Sequence, residues 1–134
     1  PQGYCIGGFG LGLSARDLAR FGFLYLNNGY WNGRSVVPEE WVKESTRMQI
    51  HAFGHPLYGR FGYGYQWWSI RAGDYRYSLA WGHGGQLIVL VEDLNMVVVT
   101  TSYPFWLEHN DQSWKHEKAI ITMVSEFVDS LDAD

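Results

Sequence analysis

Tyr75-Arg-Tyr-Ser-Leu-Ala-Trp81, Gly82-His-Gly-Gly-Gln86, Leu87-Ile-Val-Leu-Val91, Glu92-Asp-Leu-Asn95 and Met96-Val-Val-Val-Thr-Thr101 form one continuous stretch. Its reading decides the fold. Tyr75, Tyr77, Leu79 and Trp81 alternate with Arg76, Ser78 and Ala80, the period of two that puts one set of side chains on each face of a strand. Residues 87–91 and 96–101 are near-continuous apolar runs rich in β-branched residues, as in strands covered on both faces. Glu92 to Asn95 has the composition of a hairpin turn. Links this short permit only antiparallel pairing, because a parallel return needs a dozen or more residues.

Working outward, Phe61, Tyr63, Tyr65 and Trp67 alternate with Gly62, Gly64, Gln66 and Trp68, predicting another strand, preceded by a loop containing Gly54, Pro56 and Gly59. Ser14-Ala-Arg-Asp17 has the form of a helix start, Leu18, Phe21, Leu24 and Tyr25 recur at helical spacing, and Asn27-Asn28-Gly29 supplies a left-handed stop. Pro38, with Glu39 and Glu40 behind it, suits the first turn of a second, short helix ending near Arg47. Asp111 to Leu131 carries Ile120, Val124, Phe127, Val128 and Leu131 at helical spacing. The order helix, helix, four strands, helix predicts an α+β fold, an antiparallel sheet of about four strands flanked by helices, with no internal repeat and no low-complexity linker.

The chain has 134 residues, 46% hydrophobic and 18% charged, within the range of one globular domain. No apolar run approaches the ~20 residues of a bilayer span. A net charge of −4 without a Lys/Arg cluster in the sequence argues against nucleic acid or an anionic membrane as partner and for a small polar ligand. Cys5 is the only cysteine, so no intrachain disulfide or thiolate metal framework forms, and the redox compartment stays open. The chain begins at Pro1 without a secretory pattern, and the expectation is that residues 1–134 are a partial domain cut from a longer protein.

The chemistry concentrates in Trp81-Gly82-His83-Gly84-Gly85-Gln86. Adjacent glycines inside a sheet pack nothing and cost backbone entropy. Two readings fit: a ligand or another backbone approaches closely, or the segment is a tight turn around a structural histidine.

Taken together, Gly7-Gly-Phe-Gly-Leu-Gly-Leu-Ser-Ala-Arg-Asp-Leu-Ala-Arg-Phe-Gly22, Asn27-Asn-Gly-Tyr-Trp-Asn-Gly33, Phe61-Gly-Tyr-Gly-Tyr-Gln-Trp-Trp68 and Gly82-His-Gly-Gly-Gln86 resemble, in order and spacing, the later half of the serine β-lactamase-like and penicillin-binding-protein-like hydrolases. The family includes class C β-lactamases, DD-peptidases and esterases, and the likeness covers nearly all of residues 7–131. It implies acylation of a Ser-x-x-Lys serine, assistance from a Tyr-x-Asn motif, and a third motif, often Lys-Thr-Gly, lining the cleft. His83-Gly84-Gly85 falls where that third motif belongs. By the same resemblance the backbone N–H of Gln86 is an oxyanion-hole donor, His83 contacts substrate or joins a proton relay, and Trp81, Gly84 and Gly85 bind substrate. A donor of that kind contributes ~3 kcal/mol to the transition state in comparable sites.

The departures matter equally. No serine here is followed three positions later by lysine, so the nucleophile is absent. Tyr25-Leu-Asn27 and Tyr30-Trp-Asn32 match Tyr-x-Asn but lie on and just after the first predicted helix, downstream of where the motif belongs. His for Lys and Gly for Thr removes a fixed charge and a hydroxyl that would grip a substrate carboxylate. A small ester or amide is therefore the expected substrate class ahead of a β-lactam. The rival reading is a carbohydrate- or peptide-binding module that stacks ligands on Tyr63, Tyr65, Trp67, Trp68, Tyr75, Tyr77 and Trp81, and it requires three or more coplanar rings facing solvent. His51 and His55 lack the carboxylate or thiol pattern that completes a zinc site, and the glycines at 7, 8, 10 and 12 lack the lysine of a phosphate loop. No metal or organic cofactor is implied. The expected partners are the substrate and the missing amino-terminal part. A homo-oligomer is also expected, driven by an uncovered apolar face of the Val-rich strands.

Overall fold

The computed structural model describes residues 9–55, 59–103 and 113–132; Gly7, Gly8, Asp111 and the acidic end beyond Asp132 lie outside them. Helix α1 spans Ala15–Leu26. It starts where the Ser14 hydroxyl accepts from the Asp17 amide at 3.2 Å, satisfying one of the free N–H groups of the first turn. The same hydroxyl, with Arg20, holds the Asp17 carboxyl below its usual range. The helix ends as Asn28 N–H bonds Tyr25 O and Gly29 N–H bonds Leu24 O, the paired closure expected of a left-handed stop. Gly29 has φ +83°, and a Cβ there would lie 2.0 Å from the Val37 carbonyl oxygen, so only glycine fits. A two-stranded hairpin, β1 (Tyr30–Trp31) and β2 (Arg34–Ser35), leads into α2 (Glu39–Thr46), with Pro38 standing at its cap one residue before the expected first turn.

The main sheet has six strands, all neighbours antiparallel, in sequence order: β3 (Ile50–His55), β4 (Gly59–Tyr63), β5 (Trp68–Ala72), β6 (Tyr75–Gly82), β7 (Gln86–Val91) and β8 (Met96–Thr100). Helix α3 (Ser113–Asp129) completes the α+β fold. The sheet is larger than the four strands read from sequence for two local reasons. Residues 50–55, read as part of a loop, form a bulged edge strand on β4. The alternation over 61–68 is also interrupted: Gln66 adopts φ +69° and Gly64 N–H bonds Trp67 O at 2.8 Å, closing a turn between β4 and β5. A Cβ on Gly64 would sit 2.3 Å from the Ser45 carbonyl oxygen, which is what holds glycine at that turn.

Strand β7 organises the core. Leu87, Val89 and Val91 face α3 and pack with Ile121, Val124 and Val128, while Ile88 and Leu90 face α1 with Trp67, Leu18, Phe21 and Tyr25. Leu87 to Val91 are all buried. At roughly 2 kcal/mol for each buried aliphatic side chain, this strand alone contributes on the order of 10 kcal/mol before conformational entropy is counted. Phe127 and Leu131, placed on the apolar face by spacing, are half-exposed, because the face that docks runs through Glu117, Ile121, Val124 and Val128.

Helices α1 and α3 thus cover the two faces of β7, the faces whose exposure was expected to drive self-association. Among the described residues no strand pairs with the outer edge of β8, whose residues Met96-Val-Val-Val-Thr100 carry none of the charges or prolines that blunt an edge strand.

Candidate functional site

Residues 81–86 sit at one end of the sheet, where β6 turns into β7. Gly82 and Gln86 are the last paired residues, leaving His83, Gly84 and Gly85 as a three-residue turn. Gly84 and Gly85 adopt φ +77° and +88°, conformations that side-chain-bearing L-residues avoid. Both are buried, and a Cβ on Gly85 would lie 2.2 Å from Ile120 Cδ1 of α3. Of the two readings of the glycine pair, the turn and the close approach of α3 account for what is seen within this chain.

The turn is tied to α3 through Glu117, whose side chain is only 9% exposed. Its Oε1 accepts the Gly84 N–H at 2.6 Å, its Oε2 accepts the Trp81 indole N–H at 2.9 Å, and His83 Nδ1 lies 3.2 Å from Oε1. A carboxylate taken out of water is costly unless such donors surround it. The His83 ring stands out from this anchor, 61% exposed. The Trp81 ring is sandwiched rather than free: it stacks on Trp114 of α3 at 5.1 Å and 13° and meets Trp68 edge-on at 5.7 Å.

Gln86 is fixed through its side chain. Its Nε2 donates to the Ser102 carbonyl, and its Oε1 accepts the Ser102 amide at 3.1 Å. Thr100 Oγ1 donates to Gly85 O at 2.7 Å, so the end of β8 braces the turn from the other side. Ser102 Oγ lies 3.0 Å from His116 Nε2, the separation of a nucleophile and its base, yet among the described residues nothing holds the far ring nitrogen of His116.

The two Tyr-x-Asn strings have structural occupations. Tyr25 packs on Trp67 at 4.6 Å, Asn27 caps α1 and donates to Tyr30 O, and Asn32 occupies the tight β1–β2 turn at φ +49°. Of the seven rings that a binding module would need, only Tyr65 is exposed, and it leans on Trp41 at 5.3 Å, so these seven form no coplanar platform facing solvent. Tyr63 and Tyr65 lie at the same end of the sheet as His83.

A groove of about 860 Å³ opens elsewhere, on the α1 side of β4–β6, and includes none of residues 81–86. Lys43, Arg47, Arg60, Arg71 and Arg76 gather there, although they are scattered in sequence. Glu39 pairs with Lys43, Glu44 pairs with Arg47, and Glu92 lines the wall, so the groove is not a concentrated positive field.

Glu117 escaped the sequence reading because an acid on a helix is ordinarily solvated. The available signal was its register: 117, 121, 124 and 128 share one helical face, so a carboxylate stands in a core position.

No family model and no curated protein matches the chain. A solved structure of a Bacillus anthracis protein, provisionally assigned as a 6-aminohexanoate-dimer hydrolase, is similar over 87% of this chain, with a TM-score of 0.56 and 24% sequence identity. The match spans 29% of the length of that chain. The likeness is one of fold: a mixed α+β, antiparallel architecture of the β-lactamase-like kind.

Proposed function

We propose that this chain is a segment of a serine hydrolase that works through an acyl-enzyme on a small ester or amide, forming one wall of the cleft while the nucleophilic serine comes from outside these residues. His83 touches the substrate or passes a proton, the backbone N–H of Gln86 stabilises the oxyanion, and Trp81, Gly84 and Gly85 shape the wall. The observation that carries this reading is the exposed His83 imidazole, held on an anchored glycine turn at the sheet end. Support for a hydrolase also comes from the β-lactamase-like fold and from a similar structure named for hydrolysis of a 6-aminohexanoate dimer.

The choice of ester or amide over β-lactam follows from charge. An imidazole 3.2 Å from a buried carboxylate does not offer a substrate carboxylate the isolated, permanent cation that lysine would. The test is turnover by a longer protein that continues this sequence at its amino terminus. Hydrolysis of neutral short-chain esters or amides, with penicillin turned over more slowly, is expected. Penicillin hydrolysis without ester or amide hydrolysis would refute the substrate class, and no hydrolysis of any of them would refute the function.

A further inference from the structure

Two N–H groups and an imidazole nitrogen from the four-residue stretch 81–84 meet a single buried carboxylate: the Trp81 indole and the Gly84 amide donate to Glu117, and His83 Nδ1 lies 3.2 Å from its Oε1. We propose that Glu117 is the positioning residue of the site, fixing both the path of the 82–86 turn and the tautomer of His83; its catalytic part rests on the hydrolase reading above. Two glycines at positive φ leave the turn without side chains to hold it, so its shape must be imposed from outside. Glu117 does this from α3, a rigid element docked on the core through Ile121 and Val124 one and two turns further along.

The chemistry of the contacts selects a carboxylate. The Trp81 and Gly84 N–H groups can only donate, and the two oxygens divide the contacts, Oε2 to Trp81 and Oε1 to Gly84, with His83 Nδ1 also beside Oε1. Glutamine has the same size but would turn an NH₂ group toward at least one of these donors. The consequence for His83 is directional. A carboxylate 3.2 Å from Nδ1 favours the tautomer that carries its proton there, so the neutral ring presents Nε2 outward as an acceptor, the form able to take a proton from a substrate or water. The same division of labour, a carboxylate orienting an imidazole without touching substrate, recurs in catalytic triads.

The test compares wild type with Glu117→Gln and Trp81→Phe. In the 134-residue chain, ¹⁵N spectra of the neutral His83 ring are expected to show the Nδ1–H tautomer in wild type and Trp81→Phe, and a shift toward Nε2–H in Glu117→Gln. The Gly84 amide is expected to exchange at least about tenfold faster in Glu117→Gln. In the amino-terminally extended protein, kcat for a short ester should fall by roughly 100-fold in Glu117→Gln, with KM within about threefold. An Nε2–H tautomer in the wild type overturns the proposal even if the variant fails to fold, and so does a folded Glu117→Gln with unchanged tautomer, exchange and kcat. If the spectra behave as expected but the extended wild type hydrolyses nothing, the hydrolase reading fails and the anchoring of the turn stands.

Discussion

Replacing Gly22 by alanine sets two calculable effects against each other. On an exposed helix the change would stabilise by about 1 kcal/mol, because alanine restricts the unfolded chain and favours the helix. Gly22, however, is buried where α1 crosses the sheet, and a Cβ there would stand 2.6 Å from Val97 Cγ1, 2.8 Å from Ile88 Cγ2 and 3.3 Å from Leu90 Cδ2. Val97 and Ile88 are β-branched and confined to few rotamers, so they cannot swing aside, and α1 must lift from the sheet along Leu18, Phe21 and Tyr25. Overpacking of this sort costs about 1–3 kcal/mol, and with so little room to yield the upper end applies, leaving a net loss of about 2 kcal/mol. Urea unfolding followed by circular dichroism should show a lower midpoint with an unchanged slope, and thermal melts a drop of about 8 °C. The double variant Gly22→Ala with Val97→Ala should lose about 1 kcal/mol less than the sum of the two singles, since the nearest methyl is gone. A midpoint that rises in Gly22→Ala would refute the close docking of α1 on β7 and β8.

Three further outcomes follow from particular contacts. Burial raises the phenol of Tyr77 above its ordinary value of 10.0, against a smaller opposing pull from Ser125, so the stability tied to it is full below about pH 10 and is lost as pH rises through the folded value; Tyr77→Phe should flatten the alkaline limb of the stability curve, and identical limbs would contradict this. Gly85→Ala should destabilise by about 2 kcal/mol in denaturant titrations, mostly from its positive φ, and adding Ile120→Ala should recover only the steric part; full recovery would place the cost in packing instead. The open, uncharged edge of β8 should give a dimer by light scattering, and a compact monomer would show that the edge is tolerated as it stands.

Local chemistry was legible wherever a few neighbouring residues settle the outcome. Ser14 and Asp17 mark the start of α1, Asn27-Asn28-Gly29 its stop, and the apolar runs 87–91 and 96–101 their strands within a residue. Legibility failed where partners distant in sequence decide. Ile50 to His55 has little alternation of its own and is a strand because β4 supplies its hydrogen bonds. The break at Gln66 is hidden inside an unbroken aromatic alternation, and Trp67 and Trp68 end on opposite faces of the sheet. At the site, the turn could be read from its glycines, but its anchor lies 33 residues from Gly84 and reads as an ordinary surface acid until α3 is docked.

The most direct test of the central claim is intact-mass spectrometry after exposure to a fluorophosphonate, performed on this chain and on one extended at the amino terminus. The expected result is an adduct on the extended chain alone, on a serine outside residues 1–134, which leaves residues 81–86 as a wall that the nucleophile faces. An adduct on this chain, with Ser102 beside His116 the first place to map it, would contradict that claim and move the nucleophile inside the segment.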